Sequence, residues 1–149
     1  MSTKIAEKKR MVVDTSVLVS AAILPKSVSG KAFELSLRNF ELLASSSTER
    51  ELTEVLSRPK FDRYFQAETR LEFLALYAQA TTKVIVTTVV TDCIDPKDNQ
   101  FLELAVDGRA SCILSSDAHL TDMHPYRGIS ILTPSVFSSD VGEQATGDS

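Results

Sequence analysis

Five short apolar runs, most of them separated by residues at helical spacing, leave this chain few folds to choose from. Arg10-Met11-Val12-Val13-Asp14 is apolar on both faces, which suits a central parallel strand covered on both sides. Leu42-Leu43-Ala44 is a second run, and Lys83 to Val90, β-branched after its first residue, reads as a third strand. Ser111 to Ser115 and Gly128 to Leu132 supply two more. Between them, Ser29 to Phe40 places Ala32, Phe33, Leu35, Leu37 and Phe40 in a helical stripe. Thr48 to Ser57 reads as a helix with Thr48 as N-cap and Glu51 at capping-box distance, stopped by Arg58-Pro59. Phe61, Tyr64 and Phe65 suggest a further helical turn or two, and Ala67 to Ala80 carries Leu71, Leu74, Ala75 and Ala78 on one face. The turn Asp95-Pro96-Lys97-Asp98 leads into a helix with Phe101, Leu102, Leu104 and Ala105 inward, ended by Gly108. Thr133-Pro134 caps a last short helical turn, and from Ser138 the composition is that of a loose tail.

Strands alternating with helices predict an α/β sandwich with a mostly parallel sheet. No internal repeat and no Gly-, Pro- or Ser-rich linker divides the 149 residues, so 1–149 reads as a single domain. Its ordered core is expected over about 10–137, with polar tails at both ends; residues 1–9 read as frayed.

Composition removes several function classes. A content of 43% hydrophobic and 24% charged residues belongs to a globular chain and not a disordered one. Cys93 and Cys112 have no metal-ligand spacing and read as small core residues of a reducing compartment. No run of about 18 apolar residues exists for a membrane span. Met11 to Leu24 is broken at Asp14 and lacks a cleavage pattern, so a signal peptide is not expected and a cytoplasmic location is. The net charge of −4 is the wrong sign for a protein that coats nucleic acid. It is compatible with an enzyme whose acidic centre is neutralised by cations.

The acids fall in a pattern. In open parallel sheets, ligands bind beyond the carboxyl ends of the strands. Asp14 closes the first run, Asp98 follows the third at the start of a helix, and Asp117 comes two residues after the fourth. Glu51, one turn into its helix after the second run, could face the same point. Each has an ordinary reading as well. Asp95 and Asp98 suit N-caps, Glu51 completes a capping box, and Asp117 suits a turn. Asp14 is the hardest to dismiss, because an acid directly after Met11-Val12-Val13 should be nearly buried and needs a partner. Carboxylates gathered in one cleft repel each other, and a divalent cation removes that conflict. Oxygen ligands select hard ions such as Mg2+ or Mn2+ over zinc or copper. The two histidines, His119 and His124, form no cluster and read as surface or turn residues, with His119 near enough to Asp117 to touch a phosphate.

These residues resemble a known family. Val12-Val13-Asp14-Thr15-Ser16-Val17-Leu18-Val19-Ser20 resembles the opening strand of PIN domains, and Glu51 to Phe61 resembles their acidic helix. Asp95-Pro96-Lys97-Asp98 to Ala105 resembles the helix carrying the third acid; Ile113 to Leu120 and Gly128 to Pro134 resemble the closing elements. The likeness runs from about residue 11 to 137 and is greatest to the subgroup of toxin components of toxin–antitoxin systems. It implies a flavodoxin-like three-layer α/β/α fold and Mg2+- or Mn2+-dependent cleavage of RNA. It also implies a homodimer or higher homo-oligomer and, for a toxin, a small antitoxin that blocks the site. The family's acids map onto Asp14, Glu51, Asp98 and Asp117 as catalytic metal ligands. Ser16 would be the polar neighbour of the first acid, with Glu54 and Asp95 as alternates. Arg58, Lys60, Arg63, Lys97 and Arg127 are candidates for contacting RNA, against a plain reading as a solvated charged face.

Rival classes lack a required residue. A haloacid-dehalogenase-type phosphatase needs a second acid two residues after the first, where Ser16 stands, and a receiver domain needs a strand-end Lys. No Gly-rich turn for a dinucleotide follows the first run. A catalytically inert PIN-like binding module for RNA or protein, and a housekeeping RNA-processing nuclease, stay open as alternatives to a toxin.

Overall fold

The computed structural model describes residues 8–147, with side chains to residue 141. Residues 1–7, most of the expected N-terminal tail, lie outside the described residues. A five-stranded sheet runs β3-β2-β1-β4-β5, with β1 at Arg10–Val13, β2 at Glu41–Ala44, β3 at Thr81–Lys83, β4 at Cys112–Leu114 and β5 at Ser130–Leu132. Every pairing is parallel, where the sequence promised a mostly parallel sheet. Seven α-helices are described: α1 (Thr15–Ile23), α2 (Val28–Asn39), α3 (Ser46–Leu56), α4 (Ala67–Ala80), α5 (Asn99–Asp107), α6 (Ala118–Thr121) and α7 (Pro134–Gly147). Short 3-10 turns lie at Pro59–Phe61 and Pro96–Asp98. No helix among the described residues is long and apolar enough to cross a membrane.

The period-2 side-chain alternation of the central strands builds the three layers. Met11 and Val13, Leu42 and Ala44, and Cys112 and Leu114 point to one core, with Val17, Leu18, Phe33, Leu52, Tyr77 and Phe137. Val12, Leu43 and Ile113 point to the other, with Phe101, Leu102, Leu104 and Leu120. A strand buried on both faces has no polar side, which is why these runs read as continuously apolar.

Four expectations from the sequence need correction. The run Lys83 to Val90 is a strand only to Lys83. Beyond it the Val84 N–H still donates to the Ala44 carbonyl at 2.8 Å, but later N–H groups turn to α5: Thr87 and Thr88 donate to Asp107 Oδ2 at 2.6 and 2.9 Å, and Val90 donates to Glu103 Oε2 at 2.9 Å. Its alternation survives without a strand partner, with Val84, Val86 and Val90 packed inward and Ile85 and Val89 exposed. The second correction is α1, a helix the sequence hid. Thr15, Val17, Leu18, Val19 and Ala21 are all buried and only Ser16 and Ser20 mark a polar side, too little to show its period, and β-branching lowers its propensity. Third, the capping box of α3 is built by Ser45 and Thr48: the Thr48 N–H donates to Ser45 Oγ at 3.2 Å and the Ser45 N–H to Thr48 Oγ1 at 2.9 Å. Glu51 is thereby released from capping. Fourth, the expected tail from Ser138 continues α7 as far as Gly147, anchored by Phe137, whose ring lies 5.5 Å from that of Phe40.

The strand order decides where a ligand can bind. From β1 the chain passes through α1 and α2 to β2 on one side, while β4 lies on the other. The crevice beyond the carboxyl ends of β1 and β4 is therefore the topological switch point, the usual binding place in such sheets. The Asp14 N–H donates to the Leu114 carbonyl at 2.9 Å, so the segments leaving both strands are tied together at that crevice.

Candidate metal centre

A cleft of about 440 Å³ opens at the switch point, lined by Asp14, Glu51, Asp95, Asp98, Asp117 and Lys97 among its polar groups. Val19, Ile23, Val55, Phe61 and Phe101 form apolar wall, and Ser16 also lines it. Five carboxylates thus face one ammonium. Asp98 does not follow a strand, as the sequence suggested. It closes the 3-10 turn at the end of the long extended segment and stands as N-cap of α5.

Asp14 is buried and saturated. Its Oδ1 accepts from the Ser16 hydroxyl and the Val17 N–H, each at 2.9 Å, and its Oδ2 from the Ser115 hydroxyl. Burial pushes its pKa above the ordinary carboxylate range, a rise that Asp117 adds to and the three donors oppose. The wholly buried Ser115 also accepts from the Asp117 N–H at 3.0 Å, so one hydroxyl fixes the relation of two acids. Asp117 is the N-cap of α6, its Oδ1 taking the His119 N–H at 2.9 Å.

Asp98 carries the strain of the site. It is 8% exposed, and its Oδ2 is buried without a hydrogen-bond partner. Its pKa is pushed up to about 8, first by loss of water, then by the hydrogen bond with Asp117 and the charges of Asp117, Asp95 and Asp14. Asp117 is correspondingly held below its ordinary range by the bond from Asp98. Burial and the neighbouring acids together favour the protonated form of Asp98 toward neutral pH. A partnerless buried oxygen among acids is what a bound cation relieves, and the five carboxylates suit a hard divalent ion.

Glu51 sits across the cleft. Its Oε2 accepts from Thr15 Oγ1 at 3.1 Å and from Gln100 Nε2 at 2.6 Å, and Gln100 is held in turn by Ser47 at 2.8 Å. The tightest grouping is Asp95, Asp98, Asp117 and His119, whose ligand atoms all lie within 4.8 Å of one another. Asp14 and Glu51 share the cleft but stand outside that grouping. Glu54 lies outside the cleft, paired with Arg58 at 3.5 Å. Of the cationic candidates, Lys97 lines the cleft, Lys60 lies over the Phe61 ring at its edge, and Arg63 lies over Tyr64. Arg127 is engaged with Asp92 at 4.0 Å. Sequence reasoning passed over Gln100 and gave His119 no definite role. Each stands two positions after an acid already singled out: Gln100 bonds Glu51, and His119 lies beside Asp117.

Three comparisons with known proteins bear on this geometry. The family described as PIN domain matches residues 10–119. An uncharacterized protein of Methanocaldococcus jannaschii is 29% identical over 121 residues, covering 78% of this chain and 76% of its own length. Among solved structures, VapBC2 from Rickettsia felis bound to a DNA fragment from its promoter superposes with a TM-score of 0.57 at 11% identity, over 83% of this chain and 98% of that one. The last likeness is one of fold.

Proposed function

This chain belongs to the PIN-domain family, and on that premise we propose that it is a divalent-metal-dependent ribonuclease. The observation that carries the reading is Asp98, buried among acids with an oxygen that no protein group satisfies. Asp98 and Asp117 would hold Mg2+ or Mn2+, with Asp95 and Asp14 completing the negative field and Asp14 fixing the frame through Ser115. The ion would supply Lewis acidity toward the attacking water and the leaving oxygen.

The chain's own residues supply the rest. Glu51, clamped through Oε2 by Thr15 and Gln100, keeps Oε1 to orient the water and accept its proton as the new P–O bond forms. The departing ribose oxygen takes its proton from solvent. Lys97 opposes the charge of the scissile phosphate, and Phe61 with the Lys60 ammonium 5.0 Å from its ring offers a stacking surface for an unpaired base. An apolar wall and a stacking ring suit single-stranded RNA better than a duplex, whose bases are already stacked.

We read the enzyme more finely as the toxin of a toxin–antitoxin pair. The motif resemblance supports this, together with the fold shared with VapBC2. A small antitoxin would then act by occupying the acidic cleft.

The test is direct. Purified protein with Mn2+ is expected to cleave single-stranded RNA in preference to duplex, and excess chelator to stop it. Cleavage that persists at full rate in chelator would overturn the metal-dependent mechanism.

A further inference from the structure

The grouping that packs most tightly in the cleft contains a nitrogen. Asp95, Asp98 and Asp117 each bring one oxygen and His119 a ring nitrogen, all within 4.8 Å of one another. Donors around a single octahedral ion with bonds of about 2.1 Å lie roughly 3 to 4.2 Å apart. The 3.7 Å between His119 Nδ1 and Asp117 Oδ1 lies between the spacing of adjacent donors, about 3 Å, and that of opposite ones, about 4.2 Å.

Two independent features point to a ligand here. One is the partnerless Oδ2 of Asp98, buried at the floor of the cleft lining. The other is the contrast between the two histidines. His124 Nδ1 accepts the Ile131 N–H at 2.8 Å and is spent on structure. Among the described residues, the His119 ring makes no hydrogen bond, and its side chain is 49% exposed beside Asp117. The turn that fixes Asp117 also fixes His119, because the His119 N–H is the donor that Asp117 caps.

We propose that His119 ligates the ion of this centre, and that the centre takes Mn2+ or a similar first-row transition ion in preference to Mg2+. This rests on the metal-centre reading above and sharpens it. Mg2+ gains little from a nitrogen donor, whereas affinity for nitrogen rises from Mn2+ through Fe2+ to Co2+. A site of three carboxylate oxygens and one imidazole therefore separates ions that an all-oxygen site would treat more evenly.

Calorimetric titration of the wild type, His119→Ala and His119→Gln with Mg2+, Mn2+ and Co2+ tests it, at pH 8 because a ligating imidazole must be neutral. The exposed side chain makes both variants safe for folding. Wild type should bind in the order Co2+, Mn2+, Mg2+. Both variants should lose at least about 10-fold in Mn2+ affinity and more for Co2+, with little change for Mg2+. Pulsed electron spin resonance of the Mn2+ complex should show modulation from a directly bound nitrogen, absent in both variants. Ion binding without nitrogen modulation, and with selectivity unchanged by substitution, would overturn the role of His119 alone. If no ion binds the wild type, the metal centre itself fails, and this inference with it.

Discussion

Asp98→Ala is expected to lower metal-dependent RNA cleavage by at least about 100-fold while leaving RNA bound as tightly as before, or more tightly, at low salt. Removing a group that merely orients a metal ligand costs about 10- to 100-fold, and Asp98 stands inside the ligand set itself. Binding moves the other way, because phosphate approaches a cleft with one negative charge fewer. The substitution has a third consequence that a purely structural role would not give. Asp98 is buried with a partnerless oxygen, an arrangement that costs the metal-free protein stability. Asp98→Ala should therefore unfold no more easily than wild type in chelator at pH 8. A variant that binds RNA, stays folded and cleaves nothing is the signature of a lost reaction centre. Equal cleavage by wild type and variant would trace the activity to a contaminating nuclease.

The second large effect is on stability, whose dependence on pH should differ between metal-free and metal-loaded protein. An unfolded Asp titrates near 3.9, whereas Asp98 in the folded protein is pushed up to about 8. Between those values the native state holds a proton that the unfolded chain has released, so stability falls as pH rises. This contribution is fully present below about pH 4 and lost as pH climbs through 8. A bound Mg2+ or Mn2+ would replace that proton and favour the deprotonated acids, so the loaded protein should keep its stability toward pH 8. At an ion concentration 100 times the dissociation constant, mass action contributes about 2.7 kcal/mol. For a chain of this size that corresponds to a rise in Tm of roughly 5–10 °C. Asp117→Asn, which removes one of the two acids that would hold the ion, should remove most of the rise. A Tm in millimolar Mn2+ equal to that in chelator, at pH 8, would contradict the account.

The sequence showed the strands of the sheet centre well because double burial writes itself as uninterrupted apolar residues: Met11 to Val13, Leu42 to Ala44 and Cys112 to Leu114. Where the reading failed, side chains had replaced strand neighbours. Lys83 to Val90 is rich in β-branched residues, yet Asp107 and Glu103 on α5 satisfy its N–H groups, and neither acid is marked as a strand partner in sequence. The burial of α1 left Ser16 and Ser20 alone to mark the polar face by which a helix is recognised. The acids of the cleft were legible for a topological reason. Asp14 and Asp117 follow the two strands that flank the switch point, and any parallel sheet wound this way brings such positions together. What could not be read was the ranking among them. Asp14 is spent on three donors, Glu51 is clamped by Gln100, and the freest oxygen belongs to Asp98. Those differences arise from contacts such as Glu51 with Gln100 and Asp14 with Ser115, made across long sequence separations.

The claim on which the rest depends is that a divalent ion sits at Asp98 and Asp117. Crystals grown with Mn2+ and measured near the manganese absorption edge address it without reference to activity. The account predicts an anomalous peak within about 2.3 Å of carboxylate oxygens of Asp98 and Asp117, the bonding range of such ions. A cleft with no peak at millimolar Mn2+ would contradict it.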